Sequence, residues 1–117
     1  LKLIEIGDYT YPHKWNNRSA INTAFAQRGN CDDVLMTKNG FLTDASYANI
    51  VLFDGTNWVT PEKPLFEGVQ RSYLLDHTKI KTASIATTAL SNYQSFQLIN
   101  AINSFVENRF LSVGGIA

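Results

Sequence analysis

Two dipeptides, Asn39-Gly40 and Asp54-Gly55, constrain the fold of this chain more than any other feature of its sequence. Asn-Gly and Asp-Gly tolerate positive φ values and are the strongest short signals for tight β-hairpins. Strand-like runs lie on both sides of each dipeptide, VLMTK and FLTDA around the first and ANIVLF and NWVTP around the second. The sequence therefore predicts a meander of two antiparallel hairpins over residues 34–61.

Strand-like and helical segments on both sides of the hairpins complete the predicted fold. LKLIEI at residues 1–6 alternates apolar and polar side chains, as a half-buried strand does. Apolar residues at helical spacing follow Ser19, a suitable N-cap, and this helix ends at Gly29. The later pattern predicts a helix from near Val69, a short helix within 84–96 capped by Thr87 or Ser84, a strand at 96–100, and a helix or strand at 100–110. We expect one mixed α/β (α+β) domain over residues 1–117.

Composition and charge argue against several classes of function. Lysine and arginine together number 10, as do aspartate and glutamate, so no net charge attracts nucleic acid. No apolar run approaches the length that spans a bilayer. The single cysteine, Cys31, rules out an internal disulfide and favours a reducing compartment, most simply the cytoplasm. With only two histidines, His13 and His77, we expect no metal site.

Three short motifs follow one another along the chain in a specific order. They are HKWNNR at residues 13–18, NGFLTDASYANIVLFDGTNWVTP at 39–61 and PLFEGVQR at 64–71. Together they resemble the class IV aminotransferase family, pyridoxal-phosphate enzymes of fold type IV that include branched-chain and D-amino-acid aminotransferases and aminodeoxychorismate lyase. The resemblance covers residues 1–105 approximately and implies the family's larger, cofactor-binding domain, a partial barrel of antiparallel hairpins with flanking helices.

The resemblance gives Lys14 a catalytic role, because this residue matches the lysine that holds the cofactor through its aldehyde. A free lysine has a pKa of about 10.4 and is mostly protonated at neutral pH. Burial beside the cationic cofactor ring favours the neutral amine, which attacks the aldehyde and later acts as a general base. Without the resemblance, the interpretation of Lys14 would be a solvent-exposed lysine that follows a strand, because most lysines are exposed.

The resemblance also implies an acidic partner for the cofactor's ring nitrogen. In the family pattern G-x-x-T-E-x-x-x-x-N, this sequence reads GFLTDASYAN, so Asp44 stands where the family usually has glutamate. Its side chain is one methylene shorter, so the cofactor sits deeper, a water intervenes, or the role is weakened. The alternative is a strand-end carboxylate that makes local hydrogen bonds. Asn49 matches a residue that braces the site, or it is an ordinary strand residue.

A phosphate cradle is the third feature that the resemblance implies. Gly68, Val69 and Gln70 match the family's G-[IV]-x-R, which Arg71 completes, and the amides after the glycine contact the phosphate. Backbone amides at the start of a helix suit an anion, since their N–H groups are unpaired and the helix dipole favours negative charge. A second contact follows the strand that matches FQLIN, so Asn100 and Ala101 are further candidates.

Within the family, the stretch from Lys14 to Arg18 reads K-x-x-N-R and looks like the aminodeoxychorismate lyase version. That activity eliminates pyruvate from 4-amino-4-deoxychorismate and gives 4-aminobenzoate for folate biosynthesis. Two alternatives stay open: an aminotransferase for branched-chain or D-amino acids, and an inactive cofactor-binding homologue, which the substitution at Asp44 would suit.

The resemblance implies further parts that this sequence does not contain. Family members carry a smaller N-terminal domain, and nothing in this chain corresponds to it. We therefore expect a longer intact protein, and no turnover by these 117 residues alone. Family members also pair, so we expect a homodimer that acts on a small-molecule amino substrate.

Overall fold

The computed structural model describes residues 1–6, 22, 25–29, 33–46, 48–100, 111–112 and 116, which include two β-sheets, an α-helix, a 3₁₀-helix and the end of an earlier helix. The strands are β1 (Lys2–Glu5), β2 (Val34–Lys38), β3 (Phe41–Ala45), β4 (Asn49–Phe53), β5 (Trp58–Pro61), β6 (Lys81–Ala83), β7 (Ser95–Ile99) and β8 (Leu111–Ser112). Helix α1 spans Val69–Asp76, and a 3₁₀-helix spans Thr87–Asn92. The predicted α/β (α+β) class is confirmed.

The first sheet has the strand order β1-β2-β3, with β1 parallel to β2 and β2 antiparallel to β3. Its hairpin turns at Asn39 and Gly40, whose φ values are 54° and 83°. Positive φ at both central residues gives the turn a twist that matches the flanking strands, which is why Asn-Gly predicted it. The Glu5 carboxylate accepts hydrogen bonds from the N–H groups of Asn39 (3.0 Å) and Gly40 (2.7 Å), and so ties β1 to the turn.

The second sheet has the order β6-β5-β4-β7-β8. Strands β4 and β5 form the second predicted hairpin, and the Asp54 carboxylate accepts hydrogen bonds from Thr56 N–H and Asn57 N–H in its turn. Both hairpins are therefore confirmed. They do not form one continuous meander, because β4 pairs with β7 rather than with β3.

The core lies on both faces of β4, because successive side chains of a strand point to opposite sides. Ile50 and Leu52 belong to a buried cluster with residues of β3, β5 and β7. Val51 faces the other way and packs with Leu74 of α1 and with Ile80. Helix α1 therefore packs over the second sheet, and its first turn lies near the start of β4.

Several local predictions are confirmed and others need correction. The strand at 1–6, the helix from Val69 and the strand at 96–100 are all present within a residue or two. The cap predicted for the short helix was wrong: the 3₁₀-helix begins after Ala86 and has no side-chain cap, because Thr87 is its first residue and Ser84 lies too far upstream. Strands β6 and β8 were not predicted.

Two further predictions reach beyond the described residues. The helix after Ser19 is seen only near its end, where Ala26 N–H donates to the Asn22 carbonyl and Gly29 has a φ of 62°. Its start and the segment 101–110 lie outside the described residues. In the described part of the chain, no helix is long and apolar enough to cross a membrane.

Candidate active site

Asp44, near the end of β3, is fully buried, with a relative exposure of 0%. Its Oδ2 accepts hydrogen bonds from Leu65 N–H (2.6 Å) and from Phe66 N–H (3.3 Å). Its Oδ1 accepts one from the Asn49 side-chain amide at 2.7 Å. The carboxylate thus joins β3 to the start of β4 and to the loop before α1. Both oxygens are engaged, and Oδ1 retains acceptor capacity for one more donor.

Asn49, the first residue of β4, extends this network toward the helix. Besides its bond to Asp44, Nδ2 donates to the Phe66 carbonyl at 2.9 Å. Oδ1 accepts a hydrogen bond from Gly68 N–H at 3.1 Å. The Asn49 side chain therefore uses both ends of its amide, and it links the buried acid to the residue that precedes α1. Its proposed role toward a cofactor stays a prediction.

Burial dominates the electrostatics of this acid. Loss of hydration raises the pKa of Asp44 from 3.8 to about 7, although the hydrogen bonds from Asn49, Leu65 and Phe66 and the positive charge of Arg71 act in the opposite direction. A carboxyl group with a pKa near neutrality, held by three donors, is typical of functional sites. It also occurs in structural networks, so the shift alone does not assign a role.

Arg71 is a buried cation in the first turn of α1, with a relative exposure of 5%. Its Nη2 donates to the Pro61 carbonyl at 3.2 Å, and its Nη1 lies 4.0 Å from the carboxylate of Glu67, which is solvent-exposed. Such an exposed partner compensates a buried charge only weakly. The guanidinium therefore adds positive potential near the start of the helix, where the helix dipole is already positive.

The N-terminus of α1 has no internal partner for its first amides. Gly68 is the N-cap residue, it makes no side-chain cap, and the first turn contains no acidic residue. Within the described ranges, no acceptor pairs with the N–H groups of Val69 and Gln70. A Cβ at Gly68 would collide with Asn49 Oδ1, so a larger residue cannot take this position without breaking the network. Open amides beside a buried guanidinium form a site suited to an anion.

The pairing of β4 with β7 brings a further candidate to the same end of the sheet. Asn49 is the partner of Ile99, so Asn100 follows at the sheet end where Asn49 contacts Gly68. Ala101, the other residue predicted with it, lies outside the described residues. A groove of about 470 Å³ borders the loop that precedes α1, and it is lined in part by Thr43, Lys63 and Leu65.

The structure thus brings together Asp44, Asn49, Gly68 and the first residues of α1. Lys14 lies in the segment 7–21, outside the described residues, so its distance to Asp44 stays untested. No local pattern indicated that the backbone of Leu65 and Phe66 would bind Asp44, since these donors lie 21 and 22 residues away. The burial of Arg71 was also not predicted; only its place in G-[IV]-x-R drew attention to it.

Fold and site together define a mixed α/β domain in which a buried acid is linked to an anion-accepting helix start. The chain belongs to the class IV aminotransferase family, since the sequence model of that family, Amino-transferase class IV, matches residues 11–107.

Individual relatives agree with this assignment. A protein of Haemophilus influenzae strain Rd, named only as uncharacterized, is 43% identical over 96 residues, which are 82% of this chain and 51% of the relative. A solved structure from Haemophilus somnus 129pt, named provisionally as a 4-amino-4-deoxychorismate lyase, has a TM-score of 0.80 and 34% identity, over 89% of this chain and 54% of its own. The chain spans about half the length of these relatives.

A more distant structure shares the fold alone. The branched-chain amino acid aminotransferase of T.th., solved in complex with N-(5'-phosphopyridoxyl)-L-glutamate, has a TM-score of 0.70 at 14% identity. The likeness covers 88% of this chain and 40% of that protein. The fold-type IV expectation is therefore confirmed by structures with and without close sequence similarity.

Proposed function

We propose that this chain is the pyridoxal-phosphate-binding part of a 4-amino-4-deoxychorismate lyase. The observation that carries the proposal is the connected site: the buried Asp44 carboxylate is linked through Asn49 to Gly68 and the open amides of α1. An acid at one end and an anion site at the other match the two polar ends of a phosphorylated pyridine.

The start of α1 fits the phosphate end of the cofactor. The amides of Val69 and Gln70 would donate to phosphate oxygens, and the positive end of the helix and the buried Arg71 would favour the negative charge. Gly68 leaves room for the Asn49 side chain that holds its N–H, because a Cβ at this position would collide with Asn49 Oδ1. We propose Asn100 and Ala101 as the second contact, since β7 delivers Asn100 to this end of the sheet.

Asp44 fits the ring end of the cofactor. Oδ1 has one donor, Asn49, and retains a lone pair. Because Asp44 has no exposed surface, a protonated ring nitrogen would reach this lone pair only after the groups that cover it shift. A nearby cationic ring would lower the pKa of Asp44 and hold it as a carboxylate. When bound, pyridoxal phosphate supplies an electron sink for the bond-breaking step at the substrate. Because the Asp44 side chain is one methylene shorter than glutamate, the ring would have to lie deeper, a water would bridge the two groups, or the contact would be weaker.

Lys14 is proposed as the catalytic residue. Its amine would hold the cofactor covalently, and after displacement by the substrate amine it would carry a proton between the substrate carbons. In the lyase reaction, Lys14 would take the proton from the ring carbon that bears the amino group and return it to the methylene carbon of the enolpyruvyl group. The C–O bond between the ring and this group would break, so that pyruvate leaves and the ring becomes aromatic. In a transaminase, Lys14 would also move the proton, and the net reaction would transfer the amino group of the substrate to a keto acid.

The lyase is favoured over the aminotransferase by two observations. The K-x-x-N-R stretch from Lys14 to Arg18 looks like the lyase form, and the Haemophilus somnus protein with that provisional name is 34% identical to this chain over the aligned region. An amino-acid aminotransferase is the second candidate, supported by the fold of the branched-chain enzyme. An inactive cofactor-binding homologue is the third, motivated by Asp44 in place of glutamate.

The activity test is release of pyruvate from 4-amino-4-deoxychorismate without any keto-acid acceptor, measured with the intact protein that contains this chain. Pyruvate and 4-aminobenzoate in equal amounts would support the lyase. Turnover only when a keto acid is added would support the aminotransferase. A protein that stays colourless with added pyridoxal phosphate and shows neither activity would support the inactive homologue.

We also propose the setting in which the enzyme works. By family resemblance, the intact protein includes a smaller N-terminal domain and forms a homodimer, and the 117 residues alone do not turn over substrate. The single cysteine and the substrate class suit the cytoplasm and folate biosynthesis. Sedimentation equilibrium of the intact protein tests the dimer, and a monomer at micromolar concentration would contradict it.

A further inference from the structure

We infer that Asp44 has a second role, which rests on the function proposed above: it positions the loop of residues 64–68 and, through that loop, the phosphate-binding amides of α1. The acid of this chain would therefore act at both ends of the cofactor. It would accept from the ring nitrogen at one end and set the geometry of the phosphate cradle at the other.

The hydrogen bonds give a continuous path from the carboxylate to the cradle. Asp44 Oδ2 holds Leu65 N–H and Phe66 N–H, and Asn49 Nδ2 joins Asp44 Oδ1 to the Phe66 carbonyl. Asn49 Oδ1 then holds Gly68 N–H, the amide just before the helix. Three of the four loop residues from 65 to 68 are thus fixed by two side chains, both of which are at most 1% exposed.

Long-range contacts distinguish this arrangement from an ordinary turn carboxylate. Asp54 offers the comparison within the same chain, because it also accepts from two successive amides, those of Thr56 and Asn57. Those donors are two and three residues away, and Asp54 is solvent-exposed. The donors to Asp44 Oδ2 are 21 and 22 residues away, so Asp44 fixes one segment against another.

The length of the side chain is part of the inference. The oxygens of Asp44 lie at 2.6 Å and 2.7 Å from Leu65 N and Asn49 Nδ2, and the side chain has no exposed surface. A glutamate has one more methylene, so at this backbone position its carboxylate would have to leave one of these contacts or push the loop away. In this chain, a glutamate at position 44 could therefore contact the ring nitrogen of the cofactor, but it would no longer hold the loop of residues 64–68.

The test compares Asp44→Glu and Asn49→Ala with the matched control Asp54→Glu. The dissociation constants of pyridoxal phosphate and of pyridoxal, which lacks the phosphate, are measured for each protein. Hydrogen exchange at the amides of Leu65, Phe66 and Gly68 is measured without cofactor. The preference for the phosphorylated form is the dissociation constant of pyridoxal divided by that of pyridoxal phosphate. We expect this ratio to fall about tenfold in both site variants, which is the effect of losing one hydrogen bond. We expect faster exchange at Leu65 and Phe66 in Asp44→Glu and at Gly68 in Asn49→Ala, with the control unchanged in both measurements.

The outcomes separate this inference from the proposed function. Asn49→Ala keeps the Asp44 carboxylate that would face the cofactor ring. If Asp44→Glu does not fold, the result for Asn49→Ala alone tests whether these side chains position the cradle. If either folded variant weakens the binding of both ligands equally, or leaves protected the amides that the substituted side chain had held, Asp44 and Asn49 do not position the cradle, and the proposed function stands. If the unsubstituted protein binds neither pyridoxal phosphate nor pyridoxal, both the function and the inference are overturned.

Discussion

Asp44 is a buried acid with a pKa near neutrality, and this makes the stability of the domain depend on pH. Its pKa is about 7 in the folded chain against 3.8 for the free side chain. Between these values the folded protein keeps a proton that the unfolded chain has released, so the contribution of Asp44 to stability falls as the pH rises. The fully developed effect is at most about 4 kcal/mol, because each pKa unit corresponds to 1.36 kcal/mol.

The substitution Asp44→Asn tests this dependence. We expect the free energy of unfolding to fall between about pH 4 and pH 7 in the parent protein, and this part of the slope to disappear in the variant, because an amide does not titrate. Urea unfolding at a series of pH values measures both slopes. Asp54→Asn is the control, since hydrogen bonds lower the pKa of Asp54 and its contribution has the opposite sign. Equal slopes in the parent and in Asp44→Asn would contradict the assignment of this slope to Asp44.

Gly68 provides a second test at the level of one residue. In Gly68→Ala, the new Cβ would meet Asn49 Oδ1 and displace it from Gly68 N–H. We expect a loss of about 1–3 kcal/mol in the free energy of unfolding, typical of overpacking and of an unpaired buried group, and weaker binding of pyridoxal phosphate. Gln70→Ala is the matched control, because it keeps the backbone amide that the cradle uses. If Gln70→Ala weakened the binding of pyridoxal phosphate as much as Gly68→Ala does, the cradle would not depend on backbone geometry.

Among the elements, the first hairpin combines a local signal with a long-range contact. The Asn39-Gly40 turn follows from its own dipeptide, but the Glu5 carboxylate from β1 holds both of its amides and also accepts from Thr37 Oγ1 at 3.3 Å. β1 lies at the edge of its sheet and pairs only with β2 among the described strands. Glu5 therefore anchors the end of an edge strand to the turn of its neighbour.

We expect Glu5→Ala to lower the free energy of unfolding by about 1–2 kcal/mol, because charge-assisted hydrogen bonds to two amides are lost near the surface. The measurement is urea unfolding of the variant. Glu62→Ala serves as the control, since it removes an exposed carboxylate of the same length elsewhere. If the free energy of unfolding of Glu5→Ala falls no more than that of Glu62→Ala, the turn does not depend on the contact with β1.

The same elements show what local sequence could predict. The two hairpins were predicted because Asn39-Gly40 and Asp54-Gly55 act within a few residues of the chain. Strand β6, only Lys81–Ala83, was not predicted because it becomes a strand through parallel pairing with β5. The assignment of the hairpins to separate sheets likewise depends on β7, which comes more than forty residues after the start of β4. The hydrogen bonds of Asp44 to Leu65 and Phe66 were not predicted for the same reason, since these residues lie far from Asp44 in the sequence.

At the scale of the whole molecule, the two sheets meet where β3 passes into β4. The acid comes from β3 in the first sheet, its brace Asn49 from β4 in the second, and the cradle from α1. The site therefore requires both sheets in their native arrangement, whereas each hairpin alone would carry only part of it. The matched residues cover only about half of the length of the relatives, so in the proposed enzyme we expect further groups for substrate binding from outside these residues.

In the proposed site, Lys14 would hold a phosphorylated pyridine whose other ends reach Asp44 and α1. Its most direct test is to incubate the intact protein with pyridoxal phosphate, reduce it with borohydride and locate the bound group by peptide mass spectrometry. We expect a phosphopyridoxyl group on Lys14, absent from Lys14→Ala and retained in the control Lys63→Ala. A folded protein that carries the group on another lysine, or on none, would contradict this claim.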